Sequence, residues 1–263
     1  MFGVLTFILA LIANAAHSFA APPDVDLELV LAVDMSGSMD MEEARVQRSG
    51  YVETLRHPDF INAVDGGRLG RIAIGYFEWA GLVNEASVLG WQVIDNAADA
   101  EAFAAKLAAR PLGTRRGTSV SNAILFGTSF IESNAFSGAR RILDLSGDGH
   151  NNSGPPVAPA RAAALERGIV INGLAIIIRP SGSIIPLDQY YAECVIGGPG
   201  SFMIPVHEAE DFALAIRQKL ILEISGAAPT ATARPAAVTP VACLVGDKLN
   251  PNFLDPVSPE SNR

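Results

Sequence analysis

The sequence predicts one α/β domain with a doubly wound, mainly parallel sheet and helices on both faces. Short apolar runs rich in β-branched residues alternate with amphipathic segments of helical length, which is the pattern of such a sheet. The chain has 263 residues, of which 49% are hydrophobic, and its composition does not break in the middle. This length and composition suffice for one large core, so we expect a single three-layer unit over residues 24–225.

Strands are predicted where the chain is continuously apolar or alternates in polarity. The predicted strands are Leu27 to Val33, Arg71 to Trp79, Ala86 to Ile94, Arg140 to Leu145, Ile169 to Ile178 and Ser201 to Val206. A turn containing Gly and Asn separates the second from the third, so we expect these two to form a hairpin at one edge of the sheet.

Helices are predicted where apolar and small residues recur at helical spacing. The predicted helices are Met41 to Leu55, Asp99 to Ala109, Ser119 to Ile131, Pro159 to Gly168 and His207 to Ser225. The first of these should end at His57-Pro58, because proline disfavours helical backbone in the residue before it.

Both ends of the chain differ from this domain. Residues 1–21 are almost wholly apolar and end in small residues, which predicts a secretory signal peptide and a periplasmic or secreted protein. The usual basic start is absent from this leader, and an uncleaved membrane anchor is the alternative. No integral membrane segment is expected after leader removal. Residues 226–263 are rich in Ala, Pro and Thr, which predicts a mostly disordered tail.

The net charge and the number of cysteines exclude some classes of partner and metal site. The formal net charge is −9, which disfavours nucleic acid, since binding to phosphate backbones depends on clustered Lys and Arg. Cys194 and Cys243 are too few for a cysteine-based zinc site. In an oxidising compartment they could form one disulfide, and two unrelated thiols are the alternative.

Three polar turns lie at or near the carboxyl ends of predicted strands, where open α/β sheets bind ligands. The first is Asp34-Met35-Ser36-Gly37-Ser38, directly after the first strand. The second contains Gly117-Thr118, and the third is Ser146-Gly147-Asp148-Gly149. Carboxylate and hydroxyl oxygens with few charges suit a hard divalent cation, so we predict a metal site where these turns meet.

A plainer interpretation exists for part of this pattern, because Asp34 or Ser36 could simply cap the first helix. A second ambiguity concerns which aspartate near the third turn belongs to the site. Asp144 lies within the predicted strand that precedes the turn, and it could be confused with Asp148. We favour Asp148 because it lies past the strand end.

The DMSGS sequence, the Gly117-Thr118 turn and the SGDG turn resemble the metal-ion-dependent adhesion site (MIDAS) of von Willebrand factor type A (vWA) domains, over residues 26–225. The GYFEWAG, RRGTSVSNAI and LSGDGHNNSG segments are similar to a family of uncharacterised exported bacterial proteins, DUF1194. The vWA resemblance implies a Rossmann-like three-layer sandwich. It also implies that Ser36 and Ser38 are direct ligands, that Thr118 binds directly or through water, and that Asp34 and Asp148 act largely through water.

The resemblance further implies a non-enzymatic binding or adhesion module. One divalent cation, Mg²⁺ before Mn²⁺ or Ca²⁺, would accept an acidic side chain from a protein ligand as its last ligand. The alternative function is a Mg²⁺-dependent phosphoester hydrolase that uses the same Asp, Ser and Thr cluster. It is disfavoured because it needs a general acid or a phosphate-binding Lys, whereas the predicted turns offer only Arg115 and Arg116 as cations. The sequence also contains no GxSxG, P-loop or GxGxxG motif, which disfavours serine hydrolases, nucleotide hydrolases and dinucleotide enzymes.

Overall fold

The computed structural model describes residues 22–37, 39–179, 183, 185–227 and 243–246. The predicted signal peptide at residues 1–21 lies outside this range, as do Ser38 and most of the predicted tail. Within the described ranges, no helix combines the length and the apolar character needed to cross a bilayer.

A six-stranded, mainly parallel sheet forms the centre of the molecule. The strands are β1 (Asp24–Val25), β2 (Leu27–Asp34), β3 (Ile72–Trp79), β4 (Val83–Ile94), β5 (Ser137–Gly138), β6 (Arg141–Gly147), β7 (Val170–Ile176) and β8 (Met203–Val206). The large sheet has the order β4-β3-β2-β6-β7-β8, while β1 and β5 form a separate parallel pair. Among the pairings of these strands in the described residues, β3–β4 alone is antiparallel. The predicted parallel sheet and its edge hairpin are therefore confirmed.

Helices cover both faces of this sheet. They are α1 (Met41–Arg56), α2 (Pro58–Asp65), α3 (Ala97–Ala108), α4 (Val120–Glu132), α5 (Val157–Glu166), α6 (Leu187–Tyr190) and α7 (Phe212–Ser225). Buried side chains of α1, α2, α3 and α7 form one core with Leu29 and Leu31 of β2, and those of α4, α5 and α6 form a second core with Val30 and Ala32. Alternate residues of β2 thus enter opposite cores, which confirms the three-layer prediction.

Two helical segments were not predicted from the sequence. Pro58 does follow the end of α1, but it also occupies the first turn of α2, where a missing N–H costs nothing. The His57 Nδ1 atom caps α2 by accepting from the Asp59 N–H at 3.2 Å. The second segment is α6, which continues as a π-helical turn over Tyr191–Val195.

The two outer strands of the sheet are irregular. The register of β4 against β3 shifts twice, between Ile74 and Tyr76 and between Tyr76 and Glu78, as in β-bulges. At the opposite edge, β8 has only 4 residues and contains Pro205, which has no backbone donor.

A disulfide joins Cys194 in the π-helical turn to Cys243, with Cα atoms 5.5 Å apart. It holds the described tail segment, residues 243–246, against the loop after β6. A Cβ at Gly246 would overlap the carbonyl oxygen of Asn151. The possible pairing of the two cysteines is confirmed, and it is consistent with an extracytoplasmic, oxidising location.

Replacing Cys243 with alanine should lower the free energy of unfolding by about 2–4 kcal/mol, because the open chain gains entropy when a loop of this length is released. Urea unfolding followed by circular dichroism measures the loss. Reductant should weaken the wild type to the same extent and leave the Cys243→Ala variant unchanged. Equal stability of the oxidised and reduced wild type would contradict the prediction.

Candidate functional site

Three loops meet at the carboxyl end of the parallel strands. One follows β2, one precedes α4 and one follows β6. The Arg115 N–H donates to the Met35 carbonyl at 2.9 Å, and the Asn152 N–H donates to the Thr118 carbonyl at 2.8 Å. The loop before α4 is therefore hydrogen-bonded to both of the others, as the sequence predicts for a single crevice.

Asp34, Ser36 and Asp148 form a hydrogen-bonded triangle within this crevice. The Ser36 N–H donates to Asp34 Oδ1 at 2.7 Å, and the Asp148 N–H donates to Asp34 Oδ2 at 3.3 Å. The Ser36 hydroxyl donates to Asp148 Oδ1 at 3.2 Å. The first and third loops thus bring two carboxylates and a hydroxyl to one point.

The interpretation that Asp34 or Ser36 caps α1 is wrong. The cap of α1 is Asp40, whose Oδ1 accepts from the Glu42 and Glu43 N–H groups at 2.8 and 2.9 Å. The cap of α4 is Ser119, not Thr118. The polar side chains that end β2 are consequently not needed to begin α1.

Thr118, in the second loop, lies against the third loop. Its N–H donates to the Asn152 side chain at 2.9 Å, and its side chain is buried. A Cβ placed on Gly149 would lie 3.4 Å from the Thr118 hydroxyl, so this hydroxyl lies close to the residue after Asp148. Ser38, the remaining predicted ligand, lies outside the described residues.

The electrostatics of Asp34 are unfavourable without a cation. Burial raises the pKa of Asp34 well above its ordinary value, and the negative charge of Asp148 raises it further, while hydrogen bonds from Ser36 lower it. No salt bridge within the described ranges involves Asp34. A positive ion beside the two carboxylates would remove this penalty.

The Tyr191 hydroxyl is a second observation that bears on an ion in the crevice. Tyr191 is fully buried, and its hydroxyl has no hydrogen-bond partner among the described groups. Burial, Asp34 and Asp148, in that order, raise the pKa of Tyr191. A buried hydroxyl of this kind is normally satisfied by water, and an ion-bound water in the crevice would supply the missing partner.

The donor set fits a hard divalent cation. Two carboxylates and the hydroxyls of Ser36 and Thr118 are the oxygen ligands that Mg²⁺ or Ca²⁺ prefers. No group of three His, Cys, Asp or Glu side chains that could hold a metal occurs in the described ranges, so any site here depends on hydroxyls.

Asp144 does not belong to this crevice. It lies buried on the α7 side of the sheet, where the Lys219 ammonium is 2.7 Å from its Oδ1 atom. Asp148, past the strand end, is the carboxylate beside Asp34.

Several supporting residues were not predicted as such. Asn151 and Asn152 join the third loop to the second loop and α4, because their side-chain oxygens accept hydrogen bonds from the Ser121 and Thr118 N–H groups, respectively. The Gln47 side chain donates to the Ser146 hydroxyl at 2.8 Å and fixes β6 just before the third loop. The position of Gln47 in a predicted amphipathic helix is the only sequence signal for its buried role. No sequence pattern indicates that Tyr191 lies beside the site.

Solved structures with the same fold share little sequence with this chain. The pilus adhesin SpaC from Lactobacillus rhamnosus GG is 15% identical, with a TM-score of 0.58 over 79% of this chain and 31% of the adhesin. Proximal thread matrix protein 1 (PTMP1) from the mussel byssus, in a structure with a zinc-occupied MIDAS motif, is 14% identical, with a TM-score of 0.54 over 78% of this chain and 50% of that protein. A von Willebrand factor type A protein from Catenulispora acidiphila is 12% identical, with a TM-score of 0.52 over 76% of this chain and 43% of that protein.

These likenesses show the fold, which is the three-layer vWA sandwich. The chain spans less than two thirds of the length of each of these proteins. No curated protein matches it significantly. A family model described as "Protein of unknown function (DUF1194)" matches residues 24–228, most of the chain. The chain therefore belongs to the DUF1194 family.

Proposed function

We propose that this chain is an exported binding or adhesion module without catalytic activity, which engages a protein ligand through one divalent cation. Ser36, Ser38 and Thr118 would supply hydroxyl ligands, and Asp34 and Asp148 would act largely through water. Mg²⁺ is the proposed ion, with Mn²⁺ and Ca²⁺ as alternatives. An acidic side chain of the ligand would complete the coordination.

The observation that carries this proposal is the convergence of Asp34, Ser36 and Asp148 beside Thr118. Hydrogen bonds join three oxygen-bearing side chains from two loops, and the Thr118 hydroxyl of the remaining loop lies close to Gly149, the residue after Asp148. The buried Asp34 carboxylate forms no salt bridge within the described residues. An ion held by so few charged ligands stays electrophilic. It would supply Lewis acidity toward an incoming carboxylate.

The comparisons support the same function in outline. SpaC is a pilus adhesin and PTMP1 is a thread matrix protein, and the PTMP1 structure has zinc in its MIDAS motif. We transfer to this chain only the proposal that its crevice binds a divalent ion and a protein partner. The disulfide between Cys194 and Cys243 suits an exported protein of this kind.

Calorimetric titration of the full chain with Mg²⁺, Mn²⁺ and Ca²⁺ tests the site. We expect saturable binding by the wild type and none by Asp34→Ala. Mg²⁺ at about 100 times its dissociation constant should stabilise the wild type by about 2.7 kcal/mol, which raises the midpoint of thermal unfolding by roughly 5–10 °C.

The matched control is Asp65→Ala, because Asp65 is an exposed carboxylate at the end of α2, near the opposite end of the sheet. This variant should bind Mg²⁺ like the wild type. Equal binding by Asp34→Ala would overturn the site assignment. Turnover of phosphoesters in Mg²⁺ that disappears in Asp34→Ala would overturn the non-enzymatic part of the proposal.

A further inference from the structure

The surface beside the metal crevice carries an unusually exposed apolar side chain. Leu82 is 73% exposed, more than any other large hydrophobic residue in the described ranges. It lies in the β3–β4 hairpin, where its carbonyl accepts from the Ala80 N–H at 3.0 Å. Single exposed leucines are common, so Leu82 alone indicates no partner.

Two arginines flank Leu82. The Gly81 N–H donates to the Arg116 carbonyl at 3.1 Å, which holds Arg116 beside the hairpin. Arg115 pairs with Ser36 in an isolated parallel bridge, and so it lies between the hairpin and the proposed ion. The Arg115 guanidinium donates to the Asn84 side chain at 3.0 Å across the same gap. These contacts bring the exposed residues Leu82, Arg115 and Arg116 close together where the hairpin meets the loop before α4, and the three residues are here called the rim.

The charge of the rim is not balanced within the described structure. Both arginines are exposed, and no carboxylate in the described ranges forms a salt bridge with either. Arg179, by contrast, pairs with Asp40 at 2.6 Å and with Glu43 at 3.1 Å. In a chain of net charge −9, two adjacent exposed arginines that form no salt bridge offer positive charge to an acidic partner.

We propose that the rim recognises an acidic peptide segment of a partner protein that carries two carboxylates and an apolar side chain. One carboxylate binds the ion, the second pairs with Arg115 and Arg116, and the apolar side chain covers Leu82. This inference rests on the proposed function, because it places the first carboxylate on the metal. A peptide fits better than an acidic polysaccharide, since a polyuronate has no apolar side chain to bury against Leu82.

Selection of random displayed peptides on the full chain in Mg²⁺ tests the rim. We expect the enriched peptides to carry at least two acidic residues and one apolar residue. Their affinity should fall about tenfold in the Arg115→Ala/Arg116→Ala double variant, and this fall should shrink at high salt, because salt screens exposed charges. The affinity should fall roughly threefold to tenfold in Leu82→Ser.

Matched controls are Arg167→Ala, an exposed arginine at the end of α5, and Leu214→Ser, an exposed leucine on α7. Both should bind the peptides like the wild type. Unchanged Mg²⁺ binding by the rim variants establishes that the crevice is intact in them.

The outcomes separate this inference from the proposed function. One outcome is that the enriched peptides need Mg²⁺, carry a single acidic residue and bind the Arg115→Ala/Arg116→Ala double variant normally. This outcome would overturn the role of the rim, but not the metal-dependent function. Peptides that bind equally in EDTA would overturn both. Absence of enrichment, or binding of polygalacturonate alone, would overturn the rim.

Discussion

Replacing Lys219 with methionine is expected to lower the free energy of unfolding by about 3–5 kcal/mol at neutral pH, because it removes the buried cation that Asp144 and Glu223 share. Lys219 is only 1% exposed. Its ammonium lies 2.7 Å from Asp144 and 2.5 Å from Glu223, and the Asn172 side chain donates to Glu223 at 2.9 Å. The cluster ties α7 to β6 and β7 through the core.

The loss should depend on pH in a defined direction. Burial and the Asp144 charge raise the pKa of Glu223 to about 8, while Lys219 lowers it. Because the folded pKa lies above the ordinary value of 4.5, the folded protein holds the extra proton, and stability falls as pH rises from 4.5 to about 8. Without the ammonium, this fall should continue to higher pH, so the cost of Lys219→Met should increase with pH.

Urea unfolding at several pH values measures this cost. Lys106→Met is the control, because Lys106 is an exposed lysine whose ammonium donates to the Gln92 side chain at 2.6 Å. The double variant Lys219→Met/Glu223→Gln should recover part of the loss at high pH, since glutamine cannot ionise in the buried cluster. A Lys219→Met variant as stable as Lys106→Met would show that the buried cluster does not stabilise the fold.

Replacing Gly147 with alanine should lower the free energy of unfolding by about 1–3 kcal/mol and also abolish the response to Mg²⁺. A Cβ at this position would overlap the Tyr191 hydroxyl, and it would lie 3.0 Å from Asp34 Oδ2 and 3.2 Å from the Trp79 ring. All three neighbours are buried, so the methyl group must displace the site carboxylate or the aromatic rings around it.

Thermal unfolding with and without Mg²⁺ measures both effects. Gly113→Ala is the control, since nothing lies within 4 Å of a Cβ at that glycine. In the double variant Gly147→Ala/Tyr191→Phe, removal of the overlapping hydroxyl should restore part of the stability. Full Mg²⁺ stabilisation of Gly147→Ala would mean that the ion does not depend on the position of Asp34.

The fold could be predicted from the sequence because its strands are buried on both faces. Such strands are apolar at most positions, so the run from Leu27 onward predicts a strand without knowledge of its neighbours. The helix at Pro58 was missed because proline both ends one helix and begins another. The π-helical turn at Tyr191 was missed because no short-range pattern marks it.

The candidate site could be predicted in part for a related reason. Asp34 and Asp148 follow buried strands directly, and parallel neighbours end at one edge of the sheet. The roles of Asn152 and Asp144 depend instead on contacts between residues far apart in the chain. Asp144 and Lys219 are far apart in the sequence, so no spacing pattern connects them. Their ion pair follows only from the packing of α7 on β6.

The two irregular outer strands affect how readily one copy of the protein can pair its sheet with that of another copy. A regular, exposed strand offers a row of unpaired backbone groups to which a second copy can add its own sheet. Here the bulges of β4 twist one edge, and Pro205 takes a donor from the four-residue β8 at the other. Edge-to-edge polymerisation is thereby disfavoured even at high local concentration.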